Sequence, residues 1–380
     1  MFGAFLFKKD KMQPIIKIFI FSLFFGYSRP VFPAKLNLKT SIPLTAHDCK
    51  HLQQLLKNDE EAKRFFDSII SQANTRLQED AVPLVIINYE GLISSNPERI
   101  QTIKQLKQME SIQQLTYAYA ATGKSNYAKK ALSLSLAWVQ AYVPTGNPIN
   151  ENKLTPMLTA LPLLVNFANK NQQDIIKKWL VKLTDTSIKA GFQGERGNWR
   201  SKRIKIVALS NQLLADQQYQ QFVADGVEDY INRNFFGDST TIDLRHRDAL
   251  SYHCGGLKPI LSTLLAMGKK GQGYYSWENQ EGGTIQKSVE LLIPYMKKEK
   301  VYPQWVNSQV AFDRERWESG DDFYRPGRPW NPEGGVEVMK LAQFFDHQLN
   351  QYVKMYDSSG KKYSCIESVL LAVMKPTQGY

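Results

Sequence analysis

The stretch LRHRDALSYHCGG, residues 244–256, is the densest in groups that bind anions or transfer protons. Guanidinium groups hold anions with paired hydrogen bonds, and tyrosine or histidine can give or take a proton. Arg245 and Tyr252 are seven residues apart, as are His246 and His253. Seven residues is about two turns of an α-helix, so a helix would place each pair on one side. The alternative is a solvated charged face, for which the small and apolar residues of ALSYHCGGL are unusual.

A second candidate stretch is GERGNWRSKR, residues 194–203, where Asn198, Trp199 and Arg200 stand at the junction of a loop and a helix. The free N–H groups and the positive dipole end of a helix start suit a carboxylate. The alternative is structural, with Asn198 as an N-cap and Trp199 as a core anchor.

The elements that must position these side chains are predicted to be helices. Apolar residues recur at helical spacing over residues 45–80; residues 81–97 read as a loop, and a helical hairpin follows in which Gly123 ends one helix and Ser125 caps the next. The pattern continues without a strict period, so the sequence predicts an all-α fold of antiparallel hairpins. The turn-rich segment 301–335 is expected to be functional because such long loops usually are.

Composition narrows the class of partner. The 380 residues are 43% apolar and 22% charged, which indicates a globular chain. Lysine and arginine exceed the acids by 48 to 36, and a net charge of +12 favours an anionic partner: nucleic acid, an anionic membrane or an acidic polysaccharide. The 12% of aromatic residues would suit stacking on sugar rings, although filling a core explains most of them.

The N-terminal residues have the pattern of a secretory signal. Lysines precede the short apolar run Ile18–Phe25, and small and turn residues follow it. We expect a leader over residues 1–34, starting at Met1 or Met12, and a single domain over 35–380. A buried N-terminal helix is the alternative. Export predicts a periplasmic or secreted protein with no nucleic-acid partner and, once the leader is removed, no stable membrane insertion.

No cofactor or metal is predicted. The chain has no CxxC pair, and its cysteines, Cys49, Cys254 and Cys365, are expected to be buried and free, although one disulfide is an alternative. GxSxG, Walker A, Rossmann-type glycine and HExxH motifs are absent from the sequence. His246 and His253 could ligate a metal, but no third ligand is evident near them.

Residues 85–265 resemble the alginate-lyase domain shared by several polysaccharide lyase families, which implies an (α/α) toroid. The segments that carry the resemblance are LTYAYAATGKSNYAKKALSLSLAWV, GNPINENKL, GNWRSKRIKIVALSNQLLAD and RHRDALSYHCGGLKPIL. The last is the most specific, because an Arg, a Tyr seven residues later and an adjoining His mark the family's catalytic helix. Here these are Arg245, Tyr252 and His253.

One position departs from the family pattern. The Asn-Asn-His triplet of alginate lyases is replaced here by Gly197-Asn198-Trp199, which retains the asparagine and loses the histidine. Related lyases of other uronans have Asn-Trp at this point. The resemblance therefore implies a uronan lyase whose substrate is alginate or another polymer of uronic acids.

Such a lyase works by β-elimination: it removes the C5 proton beside the carboxylate and expels the sugar linked through O4. The carboxylate must first be neutralised, a role that suits Asn198 and Arg245. Tyr252 would be the base, because a neighbouring guanidinium favours the phenolate form of a tyrosine, which accepts a proton. The resemblance and the long loop add candidates for the remaining roles. His253 could be a second catalytic group, and the substrate-binding candidates are Trp199, Arg200, His246, Asn147, Asn150, Arg328 and Trp330.

Stereochemistry restricts the substrate. In mannuronate and glucuronate, H5 and O4 lie on one side of the ring, so one tyrosine can act as base and acid; in guluronate they are opposed. We expect a mannuronate- or glucuronate-containing substrate. Two rivals stay open: a toroid glycoside hydrolase, which needs a carboxylate pair such as Asp243 with Asp248 or Glu333, and a non-catalytic uronan-binding protein.

Overall fold

The protein is built from α-helices, as predicted, and the computed structural model describes them over residues 42–357 and 360–374. These residues all fall in one compact unit, Leu36–Tyr380, and the leader predicted over residues 1–34 lies outside the described residues. Within the described part of the chain, the structure contains no helix long and apolar enough to cross a membrane. The three cysteines are buried and free.

The helices of the first half are α1 (Ala46–Asn58), α2 (Glu60–Arg76), α3 (Pro97–Leu106), α4 (Gln108–Thr122), α5 (Ser125–Ala141), α6 (Pro148–Glu151), α7 (Thr155–Leu164), α8 (Lys170–Lys189), α9 (Gly197–Leu214) and α10 (Gln217–Asn234). Those of the second half are α11 (Ile242–Arg247), α12 (Leu250–Ala266), α13 (Lys269–Tyr275), α14 (Ile285–Glu290), α15 (Ile293–Met296), α16 (Ala311–Glu318), α17 (Val336–Ala342), α18 (Asn350–Met355) and α19 (Ile366–Val373). Single 3₁₀ turns cover Asn152–Leu154, Val165–Phe167, Asp322–Tyr324, Pro332–Gly335 and His347–Leu349, and β1 (Pro303–Gln304) pairs antiparallel with β2 (Arg328–Pro329).

Local chemistry explains where the first helices end. The helix predicted over 45–80 is two helices, because Asp59 takes an extended conformation and its carboxylate caps α2 by accepting the N–H groups of Glu61 and Ala62. Gly123 ends α4 as predicted, at a φ of +69° that a glycine adopts without strain. The next helix begins after Lys124 without a side-chain cap, so the prediction that Ser125 caps it is wrong.

The helices close a ring. Successive contacts join α4 to α7, α7 to α9, α9 to α12, α12 to α17, α17 to α19, α19 to α1 and α1 back to α4. Helices α5, α8, α10 and α13 pack against members of this ring as their hairpin partners. Two hydrogen bonds fasten the closure, since Lys362 and Tyr363 both donate to the Asp59 carboxylate, at 2.6 and 3.0 Å. The predicted (α/α) toroid is confirmed.

A single helix over residues 244–256, which would place Arg245 and Tyr252 on one side, is interrupted in its middle. Helix α11 ends at Arg247, Asp248 adopts a left-handed φ of +48°, and α12 starts at Leu250. The Asp248 carboxylate accepts hydrogen bonds from the Tyr302 hydroxyl at 2.6 Å and the Asn307 N–H at 2.8 Å, which ties the break to the segment after residue 301. Helical periodicity therefore does not carry Arg245 onto the face of Tyr252.

Candidate active site

Tyr252 lies in the first turn of α12, half-buried among cations and aromatic rings. Arg316 donates a hydrogen bond to its hydroxyl at 3.2 Å. The guanidinium carbon of Arg247 lies 4.2 Å from the centre of its ring, and the Trp305 ring meets it edge to face at 5.6 Å. Two positive charges thus flank Tyr252, the residue predicted to act as base and acid.

One buried carboxylate aligns the two arginines. The side chain of Asp313 is only 2% exposed, forms an ion pair with Arg247 and lies 3.8 Å from Arg316. The Ser308 hydroxyl donates to the same carboxylate at 2.6 Å. Arg316 and Asp313 belong to α16, so the long segment 301–335 does contribute to the surroundings of Tyr252.

Arg245 is not brought to Tyr252. Its side chain is exposed, donates to the Thr240 hydroxyl at 2.8 Å and to the Asp238 carboxylate at 3.0 Å, and lies 3.4 Å from the centre of the Phe236 ring. The break at Asp248 is the cause, since it turns α11 away from the axis of α12. Arg247, two residues later, takes the position beside the tyrosine.

His253 faces the core instead of the cavity. Its Nε2 donates to the Ser288 carbonyl at 2.8 Å and its Nδ1 accepts from the Thr241 hydroxyl at 2.9 Å, which fixes the neutral tautomer. Burial lowers the pKa of His253 to about 4, so the ring stays neutral. The structure therefore does not place it where it could exchange a proton with a substrate. His246 is exposed on α11, and its carbonyl accepts the Gln309 N–H at 2.9 Å.

Asn198 is buried at the start of α9, with both ends of its amide engaged. Its Nδ2 donates to Asp243 Oδ1 at 3.1 Å, and its Oδ1 accepts from the Lys202 ammonium at 2.7 Å. Burial raises the pKa of Asp243, while the hydrogen bonds from Asn198 and the charges of Lys202 and Arg247 oppose that rise. Asn198, Asp243 and Lys202 therefore form one polar cluster between α9 and α12.

Two glycines make room for that cluster. A Cβ on Gly197 would lie 2.4 Å from Asp243 Oδ1, and one on Gly256 would lie 2.6 Å from Oδ2. Gly197 also has a φ of +61°. Glycine at these positions of α9 and α12 lets the carboxylate enter between the helices.

A cavity of about 640 Å³ opens at the centre of the helical ring. From α9 it is lined by Lys202 and Lys205, which lie one and two turns beyond Asn198 on the same face. From α12 it is lined by Gly255 and Pro259, which continue the face that begins with Tyr252. Two of the four predicted catalytic residues, Asn198 and Tyr252, therefore lie at the N-terminal end of the two helix faces that line the cavity.

Tyr89, which the sequence analysis missed, also lines this cavity. Lys153 lies 3.7 Å from the centre of its ring, and Arg99 donates to its hydroxyl at 3.4 Å. Burial by itself would raise the pKa of Tyr89, but the two cations outweigh burial and lower it. Its signal in the sequence is weak, because the loop 81–96 has no helical period.

Asn147 and Asn150, predicted to bind substrate, support backbone. Asn147 caps α6 by accepting the N–H groups of Ile149 and Asn150. The amide oxygen of Asn150 accepts the Glu90 N–H at 2.8 Å and so holds the loop that carries Tyr89. Their amide oxygens are thus engaged by backbone N–H groups, and their role in binding substrate stays a prediction.

The other predicted binding residues are dispersed. Trp199 is half-buried in the first turn of α9. The Nε of Arg200 lies 3.7 Å from the carboxylate of Asp229 on α10. Arg328 pairs with Asp322 at 3.5 Å, and Trp330 is a core residue, 5% exposed. None of the four lines the central cavity.

The carboxylates proposed for a hydrolase do not form a pair. Asp243 contacts Asn198, Asp248 holds the break between α11 and α12, and Glu333 is exposed in a 3₁₀ turn. Among the described residues, no three His, Cys, Asp or Glu side chains cluster as metal ligands would.

Comparison with known proteins decides the family. The sequence model of the alginate lyases matches residues 57–302 of this chain. The chain belongs to the alginate lyase family. It is a polysaccharide lyase, and the rival interpretations as a hydrolase or a binding protein are set aside. Trp305 and Arg316, which contact Tyr252, lie beyond the matched residues.

Solved structures of alginate lyases are similar to this chain, and the first of them shows the same fold. An alginate lyase from Bacteroides ovatus has a TM-score of 0.61 and 15% identity, over 84% of this chain and 97% of that one. Alginate lyase A1-III from Sphingomonas species A1 has a TM-score of 0.49 and 15% identity, over 68% of this chain and 78% of that one. The apo form of a histidine-to-alanine variant of A1-III has a TM-score of 0.50 and 15% identity, over 78% and 92%. No curated protein matches the chain in sequence.

Proposed function

We propose that this lyase cleaves a polymer of uronic acids by β-elimination, at a mannuronate or glucuronate residue, with Tyr252 as base and acid. The observation that carries the proposal is the hydroxyl of Tyr252, which lies 3.2 Å from the Arg316 guanidinium at the head of the cavity-lining face of α12. Removal of the C5 proton requires a base that tolerates negative charge on its oxygen. Arg316 and Arg247 supply the compensating charge for that oxygen.

The elimination is a proton transfer followed by the loss of a leaving group. Tyr252 takes the C5 proton, the C5–H electron pair becomes the C4–C5 double bond, and the C4–O4 bond breaks. The departing O4 then takes the proton back from the same hydroxyl. The tyrosine ends as it began, so no co-reactant is needed.

The carboxylate beside C5 must be neutralised while this happens, because an ionised carboxylate resists further negative charge. We assign this to the cluster at the start of α9. Asn198 offers its second amide N–H, and Lys202 brings a positive charge 2.7 Å from the Asn198 oxygen. Lys202 thus replaces Arg245 in the role inferred from the sequence.

One residue that acts as base and acid restricts the substrate to uronates whose H5 and O4 share a side of the ring. Mannuronate and glucuronate meet that condition. They differ at C2, away from the reacting bonds, so Tyr252 treats them alike.

The test is a panel of polymannuronate, polyguluronate and polyglucuronate, read by the ultraviolet absorbance of the new double bond. We expect unsaturated product from polymannuronate, polyglucuronate or both, little from polyguluronate, and none from any polymer with Tyr252→Phe. New reducing ends without ultraviolet absorbance would refute elimination. Product mainly from polyguluronate would refute the single-residue mechanism.

The same proposal places the enzyme outside the cytoplasm, with residues 1–34 as its leader. Support comes from the basic and apolar pattern of that segment. Mass spectrometry of the N-terminus in a secretion-competent host tests this, and an uncleaved N-terminus in the cytoplasmic fraction would contradict it.

A further inference from the structure

Lys205 is a buried cation that has no anionic partner among the residues that the structure describes. Its side chain projects from the middle of α9 into the wall of the central cavity, and the residue is only 4% exposed. Within the part of the chain that the structure describes, it has neither a hydrogen bond nor an ion pair to its ammonium. Burying an unpaired charge destabilises a fold, so such a group is expected to have a use.

Another buried cation on the same helix, Arg203, has a structural role and serves as a comparison. Arg203 is 1% exposed, and Glu195 accepts from its Nε and Nη2 at 2.8 and 2.7 Å. Its Nη1 donates to the carbonyls of Gly146 and Ser187. Each nitrogen of Arg203 therefore has an acceptor, whereas the ammonium of Lys205, two residues later, has none among the described residues.

The charges around Lys205 are positive. Burial and then repulsion from Lys202, Lys258 and Lys153 lower the pKa of Lys205 to about 7. Burial lowers the pKa of Lys202 to about 7 as well, although Asp243 opposes the change. Lys258 lines the cavity from α12. An anion that entered this part of the cavity would relieve the repulsion and pair with several ammonium groups.

The acidic side chains of the cavity lie on other helices of the ring. Glu110 is on α4, Glu337 on α17 and Glu367 on α19. Lys340 binds Glu337 at 2.7 Å, and its pKa is raised by Glu367, so it compensates the charge of both. The cavity therefore has a basic wall on α9 and α12, next to the cluster of Asn198 and Lys202.

We propose that Lys205 and Lys258 form a subsite that binds the carboxylate of a second uronate, adjacent in the polymer to the one cleaved at Tyr252. This rests on the proposed function. Lys205 lies one turn beyond Lys202, and a cavity of 640 Å³ is within the roughly 300–1,000 Å³ typical of ligand pockets. The substrate class is then a polymer with consecutive uronates, not one in which uronates alternate with neutral sugars.

Calorimetry with the Tyr252→Phe protein tests the subsite without turnover. The probes are a tetrasaccharide of consecutive uronates, one that alternates uronate with neutral hexose, and a sulfated neutral tetrasaccharide. Lys205→Met removes the charge at similar volume, and Lys270→Met is the matched control, because Lys270 is exposed on α13. We expect the consecutive tetrasaccharide to bind at least about tenfold more tightly than the others, and Lys205→Met to remove most of that preference.

Stability provides a second measurement. Lys205→Met should raise the denaturation midpoint while it weakens binding, because it removes a buried unpaired charge; a residue that only holds the fold together would lower both.

Two results would overturn the subsite alone, provided that the wild type still forms unsaturated product. One is equal binding of the consecutive and alternating tetrasaccharides, and the other is an unchanged preference in Lys205→Met. Preference for the sulfated probe would overturn its assignment to a carboxylate. No binding and no product from any uronan would overturn the proposed function with it.

Discussion

The guanidinium that lies over the ring of Tyr252 is that of Arg247, 4.2 Å from the ring centre, and not that of Arg245. The difference follows from the left-handed turn at Asp248, which separates α11 from α12. Arg245 is held at the surface by Asp238 and Thr240. We therefore expect Arg247, and not Arg245, to contribute to catalysis.

Replacing each of the two arginines by lysine separates their roles. Arg247→Lys should lower kcat about tenfold or more, because a planar donor that stacks on the tyrosine and pairs with Asp313 is replaced by a point charge. Arg245→Lys should stay within about twofold of wild type, since its contacts are exposed. Steady-state kinetics on a cleaved uronan measures both, and the opposite ranking would return the role to Arg245.

Arg316 is expected to matter for turnover more than for affinity. Arg316→Gln removes the charge that donates to the Tyr252 hydroxyl at 3.2 Å, so kcat should fall by about tenfold or more while KM changes little. The matched control is Arg314→Gln, on the same helix with an exposed side chain. If Arg316→Gln has the same kcat as Arg314→Gln, the prediction that Arg316 contributes to the reaction is wrong.

Part of this arrangement was predictable. Helical spacing indicates an all-α fold of hairpins, and the resemblance to the family implies both the toroid and the role of Tyr252. His253 could also have been placed, because consecutive helical residues point about 100° apart and both cannot face the cavity. The left-handed turn at Asp248 could not be predicted, because it is held by a hydrogen bond from Tyr302, 54 positions away in the sequence. The sequence does not distinguish Lys205 from other helical lysines, because its burial depends on contacts that form when the ring closes.

His253 should make the fold sensitive to acid without taking part in catalysis. Its pKa is about 4 in the folded protein and 6.5 when unperturbed, so the unfolded chain binds more protons between these values. The free energy of unfolding should therefore fall as the pH drops through that window, by up to about 1.4 kcal/mol per pH unit.

Denaturant titrations of wild type and His253→Gln measure the effect. The variant should show a shallower decline between about pH 6.5 and pH 4 and, where folded, turnover within about tenfold of wild type. A folded variant with no turnover would instead assign proton chemistry to His253.

Affinity for uronans should decrease as the pH rises above neutrality. The pKa values of Lys202 and Lys205 are lowered to about 7 in the free protein, and a bound carboxylate favours their charged forms. Binding then takes up protons, so the affinity falls once the lysines are deprotonated. Calorimetry with the Tyr252→Phe protein from about pH 6 to about pH 9 measures this decline, which should be shallower in Lys205→Met. A pH-independent affinity in both proteins would exclude the lysines from binding.

The most direct test compares two tyrosines of the same site. Phenylalanine keeps the ring and its packing but removes the hydroxyl, so Tyr252→Phe should bind uronan and lose turnover by about 10²–10⁴-fold or more. Tyr89→Phe is the matched variant, because Tyr89 also lies beside two cations, and it should retain measurable turnover. The initial rate of ultraviolet absorbance on the cleaved uronan is the readout. Near-complete loss only in Tyr252→Phe is the expected result; a Tyr252→Phe enzyme that keeps a tenth or more of wild-type turnover would contradict the assignment.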